Sequence, residues 1–121
     1  MPVYTIPYES DKELNQLICD NIITAFEGGS NYWLSRVNKR VSEYAKAENY
    51  KEGFEMELTF ENPNMGDDKT QVVTYAMLER GAGVMRKKFP KAYSDFVQET
   101  GDATTADIFL QCALFGELIF G

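Results

Sequence analysis

The sequence contains no histidine, only two cysteines and no apolar run of the ~18 residues that a membrane helix needs. Histidine is the commonest general base and metal ligand, so the usual serine and cysteine triads cannot form. Cys19 and Cys112 lie in apolar stretches, and we expect both to be reduced, buried and poorly nucleophilic. These absences predict a cytoplasmic protein that is not an enzyme, with no catalytic residue, metal site, cofactor or membrane contact.

The acidic residues do not change this prediction. Nineteen aspartates and glutamates always offer carboxylate pairs, but no spacing among them distinguishes a catalytic pair. The stretch "NPNMGDD" contains oxygen ligands, yet it lacks the register of a calcium loop and is typical of a polar hairpin loop.

The formal net charge of −7 disfavours binding to duplex nucleic acid, whose phosphates require a basic surface. The basic residues, however, are concentrated in two islands. The first consists of Arg36, Lys39, Arg40 and Lys46, and the second of Arg80, Arg86, Lys87, Lys88 and Lys91. Such islands are typical of solvated faces, and they are also able to hold a compact anion.

The length of 121 residues predicts a single globular domain, 1–121, with a substantial core. We expect the α+β class, in which a small antiparallel sheet with a central hairpin is packed by three to four helices. The predicted strands are 3–8, 54–60 and 69–74, and the predicted helices are 11–27, 75–89, 91–100 and 106–121. Segment 31–41 fits a helix or a strand, and we favour an extended segment because it follows two glycines.

Several residues are predicted to begin or end these elements. Ser10 and Glu13 form a capping box at the start of the predicted helix 11–27, and Thr74 caps the predicted helix 75–89. Gly28 and Gly29 are expected to end the first helix in a left-handed cap. Gly101 is expected to end the predicted helix 91–100. Thr104 or Thr105 is then expected to cap the last one.

Arginine next to aromatic residues is the minimum equipment for binding a nucleotide. Arginine forks match phosphate oxygens, and an aromatic ring offers a stacking face for a base. The residues that meet this description are Tyr32, Trp33, Arg36, Arg40, Arg80 and Arg86. A tryptophan such as Trp33 is more often an anchor of the core than a stacking platform.

The C-terminal segment is strongly apolar. From Ile108 to Phe120, only Gln111, Gly116 and Glu117 are not apolar. A helix that is apolar on all sides is central to a fold or part of a subunit contact, so we also expect a homo-oligomer formed through this segment.

Two stretches, "ICDNIITAFEGGSNYW" (18–33) and "ADIFLQCALFGELIFG" (106–121), resemble a family of small phage and prophage proteins. That family carries an "EGG-x-NYW" turn and a terminal "LFGE-(aliphatic)-(aromatic)-G". The chain is also similar to the Thoeris anti-defence sponges, which sequester cyclic ADP-ribose-type signals without cleaving them. The resemblance implies an oligomer with pockets where protomers meet.

The leading hypothesis is therefore a phage protein that binds and sequesters a small anionic cyclic nucleotide, with no catalysis. Two alternatives remain open. One is an inhibitor that binds a host protein through acidic faces such as that of Glu55 and Glu57, and the other is a structural accessory protein of the phage.

Overall fold

The computed structural model describes residues 11–38, 43–61 and 67–121. Within these ranges the chain forms four α-helices and three strands, which confirms the α+β class. The helices are α1 (Asp11–Thr24), α2 (Tyr75–Lys88), α3 (Pro90–Gln98) and α4 (Ala103–Phe115). The strands are β1 (Leu34–Asn38), β2 (Glu55–Glu61) and β3 (Asp68–Thr74). A π turn (Ala25–Gly29) continues α1, and a 3-10 turn (Ala47–Asn49) precedes β2.

The strands form an antiparallel sheet in the order β1-β2-β3. The alternation in "FEMELTF" predicts a half-buried strand, and in β2 the side chains of Met56, Leu58 and Phe60 are indeed buried while the residues between them are not. The hairpin with β3 is confirmed. The extended interpretation of segment 31–41 is confirmed for Leu34–Asn38, which is β1, whereas 31–33 is a turn and 39–41 lie outside the described residues.

Helix α4 is the centre of the core. It packs against α1, α2, α3 and the π turn, and its apolar residues Phe109, Leu110, Cys112 and Ala113 are fully buried. The approach to α2 is close, since a Cβ atom on Gly81 would lie 2.6 Å from the Cα of Ala113. The chain itself therefore covers most of α4, whereas Leu118 and Ile119, near the end of the segment for which the sequence also predicts a subunit contact, are exposed.

The predicted left-handed cap at Gly28 and Gly29 is wrong. Both glycines lie inside the π turn, neither has a positive φ, and the turn ends at Ser30 with φ −113°. Gly29 is needed for a different reason, because a Cβ atom there would lie 2.5 Å from the carbonyl oxygen of Ala103. The glycine allows the π turn to touch the start of α4.

Of the other predicted helix boundaries, one is confirmed and two are wrong. Thr74 caps α2 as expected, accepting a hydrogen bond from the Met77 amide at 3.4 Å. The prediction for α4 is wrong, because Asp102 is its cap and accepts from the amides of Thr104 and Thr105. Helix α3 ends at Glu99 in the left-handed region, and not at Gly101.

The predicted strand 3–8, the Ser10 side of the capping box and most of the hairpin loop, 62–66, lie outside the described residues. Among the helices that the structure describes, none has the length and apolar character to span a membrane.

Candidate functional site

The buried carboxylate of Asp107 on α4 is the point at which distant parts of the chain meet. Its Oδ1 accepts hydrogen bonds from the Ser30 hydroxyl at 2.9 Å and from the Trp33 indole N–H at 2.8 Å. Its Oδ2 accepts from the Tyr32 hydroxyl at 2.5 Å and from the Gln111 amide at 3.1 Å. We call these five residues the Asp107 cluster. Four donors compensate a carboxylate whose residue is only 9% exposed.

Local structure brings the donors to this point. The amides of Trp33 and Leu34 both donate to the Ser30 carbonyl, at 3.1 and 2.9 Å, which closes a tight turn directly after the π turn. Asp107 and Gln111 are four residues apart on α4 and therefore project from the same face. The turn places its side chains against that face because Gly29 lets the backbones approach.

Tyr32 joins the cluster to the surface. Its residue is 58% exposed, yet its hydroxyl reaches Asp107. Burial of the hydroxyl, followed by the hydrogen bond to Asp107, raises the pKa of Tyr32 to about 12. The phenol therefore remains protonated and donates to the carboxylate throughout the physiological range.

Gln111 extends the cluster to the C-terminal residues 116–121, which we call the tail. Its Oε1 accepts hydrogen bonds from the amides of Ile119 at 2.8 Å and Phe120 at 2.9 Å. Its Nε2 donates to the Phe120 carbonyl at 3.3 Å. The Phe120 ring stacks on the Trp33 indole, with centroids 5.0 Å apart and planes within 3°.

The two stretches that carry the family resemblance thus form one physical unit. Ser30, Tyr32 and Trp33 come from the first stretch, whereas Asp107, Gln111 and Phe120 come from the second. Trp33 is buried, at 4% exposure, and also contacts the rings of Phe60 and Phe115. Its interpretation as an anchor of the core is confirmed. Sequence reasoning missed Asp107, although a lone carboxylate just before the apolar run that starts at Ile108 was the available signal.

The predicted arginines lie elsewhere. Arg36 is exposed on the edge strand β1, opposite Thr59, and Arg40 lies outside the described residues. Arg80 and Arg86 are both on α2, as predicted, but six residues on a helix place their side chains about 120° apart. Lys87, seven residues after Arg80, shares the solvent face of Arg80 instead.

Neither cysteine is poised for reaction. Both are free and buried, as the sequence predicts. Burial is the main cause that raises the pKa of Cys19 and the pKa of Cys112 to about 11 each. Within the described ranges, no group of three histidine, cysteine or acidic residues is arranged to hold a metal ion.

A cavity of about 710 Å³ opens between α1, the start of α2 and the residues that precede β2. We call it the acidic cavity, because its charged lining residues are Glu52, Glu55, Glu79 and a single lysine, Lys51. On its wall the Tyr75 hydroxyl donates to the Asn15 side chain at 3.0 Å, and the rings of Tyr50 and Phe54 stack 4.4 Å apart.

A second cavity, of about 510 Å³, lies between α3 and the start of α4. Its charged lining residues are Lys91, Asp95 and Asp102. None of the described residues predicted to bind a nucleotide lines either of these two cavities.

Comparisons of the chain with protein-family models, curated proteins and solved structures gave no match.

Proposed function

We propose that this protein binds and sequesters a small cyclic nucleotide signal of the cyclic ADP-ribose type, without cleaving it. In this proposal it is a phage or prophage protein that acts against host defence in the host cytoplasm. The sequence resemblance suggests the class of ligand, and the charge distribution of the folded chain supports an anionic one.

One observation carries the proposal. The chain has nineteen acidic and twelve basic residues, so a guanidinium group would be expected to find a carboxylate. Within the part of the chain that the structure describes, the ion pair is that between Lys46 and Glu43, at 2.9 Å. Arg36, Arg80 and Arg86 make no such pair with another described residue. Their guanidinium groups are therefore available to phosphate oxygens, which they match in a bidentate manner.

The test is direct binding of cyclic ADP-ribose isomers, cyclic dinucleotides and cyclic trinucleotides to the purified chain, measured by calorimetry. We expect one class to bind. Denaturing the complex should then release the ligand chemically unchanged. Chemical conversion of the ligand would contradict sequestration, and a panel without binding would contradict the proposal itself.

Arginine variants test whether Arg80 and Arg86 contact the phosphate of the ligand. Because Arg80 and Arg86 lie on different faces of α2, the variant on the face that holds the phosphate, Arg80→Ala or Arg86→Ala, should weaken binding about tenfold or more, since a lost charge-assisted phosphate contact costs at least ~1.4 kcal/mol. Lys46→Ala is the matched control, since it also removes one positive charge but from a cation that already has a carboxylate partner. Equal affinities for all three variants would remove the arginines from the site.

We further propose that the protein is a homo-oligomer. Because α4 is largely covered by the chain itself, we assign the pairing to two exposed apolar side chains of the tail, Leu118 at 41% and Ile119 at 40% exposure. Light scattering should give a mass above that of the 13.8 kDa chain, and a double Leu118→Ser, Ile119→Ser variant should shift it towards the monomer.

The acidic cavity favours a second candidate, the inhibitor that binds a host protein. A lining with three glutamates and one lysine suits a lysine or arginine side chain of a partner, and the aromatic wall adds a face for such a cation. This version predicts a stoichiometric complex with a host protein that survives gel filtration. Glu52→Lys and Glu79→Lys should abolish it, whereas Glu117→Lys, which reverses a charge on the tail, should not.

A further inference from the structure

The tail contacts the body through Gly116, through the backbone of Ile119 and Phe120 and through the Phe120 ring. It leaves α4 at Gly116, which has φ +72°, and the Lys88 ammonium donates to the Gly116 carbonyl at 2.9 Å. Beyond this point Glu117, Leu118, Ile119 and Gly121 are exposed. Phe120 alone buries part of its side chain, so releasing the tail uncovers little more than the surface beneath that ring.

The surface beneath Phe120 has a specific composition. The ring lies flat on the Trp33 indole, and the Phe115 ring flanks both, with centroids 5.7 Å from Trp33 and 5.9 Å from Phe120. A flat aromatic face of this kind accepts a nucleobase, and base–aromatic stacking contributes about 1–3 kcal/mol.

Gln111 provides the polar contacts next to this face. Its Oε1 accepts from N–H groups of the tail, and its Nε2 donates to the Phe120 carbonyl. An amide side chain reads adenine with the same pair of contacts, accepting from the exocyclic amino group and donating to a ring nitrogen. Phe120 thus supplies a stacked ring, a hydrogen-bond donor and a hydrogen-bond acceptor, which adenine would supply through its ring system, its exocyclic amino group and a ring nitrogen.

We propose that the tail closes a latent binding site for adenine, in which the base displaces Phe120, stacks on Trp33 and pairs with Gln111. The inference rests on the proposed function for the class of ligand and names the part of the ligand that is recognised. Lys88, which contacts Gly116 at the start of the tail, supplies a cation for the phosphate of the nucleotide. The negative charge of Asp107 does not oppose this, since four donors already surround it.

A ligand must compete with the tail, so its apparent affinity is reduced by the fraction of molecules in which the tail is open. The probe is adenosine monophosphate, and the readout is quenching of fluorescence from Trp33, the single tryptophan of the chain. Phe120→Ala should bind the probe at least tenfold more tightly than the unaltered chain. Val72→Ala is the matched control, which shortens an exposed apolar residue of β3 and not of the tail, and it should bind like the unaltered chain.

A second variant covers the case in which Phe120→Ala fails to fold. Ile119→Pro removes one N–H donor to Gln111 and leaves the Phe120 ring in the sequence, so it loosens the tail without deleting a core contact. It should also bind more tightly than the unaltered chain, by a smaller factor. Purine riboside monophosphate, which lacks the exocyclic amino group, should bind either variant at least tenfold more weakly.

The outcomes separate this inference from the proposed function. Folded Phe120→Ala or Ile119→Pro that binds adenosine monophosphate no more tightly than the unaltered chain, or without quenching, overturns the adenine site. Equal binding of the two monophosphates overturns the role of Gln111. Either result leaves the proposed function standing if a cyclic nucleotide still binds the unaltered chain and Arg80→Ala or Arg86→Ala weakens it.

Discussion

The carboxylates of this molecule are used in two opposite ways. Asp107 is buried, and its carboxylate accepts hydrogen bonds from four side chains, three of which belong to the 30–33 turn. Its charge therefore holds this turn against α4. Glu52 and Glu79 are exposed and line a cavity of about 710 Å³, where a partner can reach them. The "EGG-x-NYW" turn, which has the strongest sequence signature, therefore stabilises the fold. Glu52 and Glu79, which belong to no motif, face the acidic cavity.

The strongest test of this contrast is Asp107→Asn. In either orientation the new NH₂ group faces an N–H donor, either that of Trp33 or that of Gln111, and neither of these can act as an acceptor there. We expect the free energy of unfolding to fall by about 3 kcal/mol or more. Urea unfolding followed by tryptophan fluorescence measures this change.

The control is Asp95→Asn, which also removes one carboxylate charge. The Asp95 carboxylate accepts an exposed hydrogen bond from Thr100 at 3.2 Å, so the cost should be under about 1 kcal/mol. Equal costs for the two variants would mean that the Asp107 cluster does not hold the turn.

Two glycines of α2 repeat the contrast between a filled interior and an open surface. A methyl group on Gly81 would lie 2.7 Å from the Ala113 side chain, whereas one on Gly83 would have no neighbour within 4 Å. Gly81→Ala should therefore destabilise the protein by about 1–3 kcal/mol. Gly83→Ala should stabilise it by up to about 1 kcal/mol, because alanine favours a helix. Thermal unfolding of the pair gives the sign of each change, and a stabilising Gly81→Ala would refute the close packing of α2 on α4.

Alkaline pH tests the buried thiols. Because the pKa of Cys112 is raised from 9.0 to about 11, the native state retains a proton that the unfolded chain loses. The resulting stability is complete below pH 9 and is lost as pH rises towards 11. Over that window Cys112→Ala should lose up to about 1.4 kcal/mol per pH unit less than the unaltered chain. Thermal unfolding from pH 7 to 11 measures the slopes, which should coincide between pH 7 and 8. Equal slopes for Cys112→Ala and the unaltered chain above pH 9 would show that the Cys112 thiol is exposed to solvent.

The smallest effect on stability is expected in the acidic cavity. Glu52→Gln and Glu79→Gln remove exposed charges, and each should change the free energy of unfolding by no more than about 0.5 kcal/mol. The same urea experiment used for Asp107→Asn applies. A large loss would show that these glutamates also serve the fold, and the contrast between the two sets of carboxylates would then fail.

Much of the fold was predictable because its signals are local. The alternation of Met56, Leu58 and Phe60 with polar residues predicts β2, and the side chain of Thr74 predicts the start of α2. The predictions at Gly28, Gly29 and Gly101 failed because a glycine after a helix has two explanations. Only the tertiary structure distinguishes a left-handed φ from a lack of room for a Cβ atom.

The candidate site was predictable only in part. Tyr32 and Trp33 were identified as aromatic residues next to a turn, but their partner Asp107 was not. Three of the donors to Asp107 are 74 to 77 residues away from it along the chain, and no local pattern reports a contact over that distance.

The spacing of apolar residues along a few turns was enough to predict the four helices, the hairpin of β2 and β3 and the class of fold. Only the folded chain shows that the side chains of the 30–33 turn point towards α4 and that the Phe120 ring stacks on Trp33. The physical reason is that a carboxylate buried among donors is stable only where the folded chain brings those donors together.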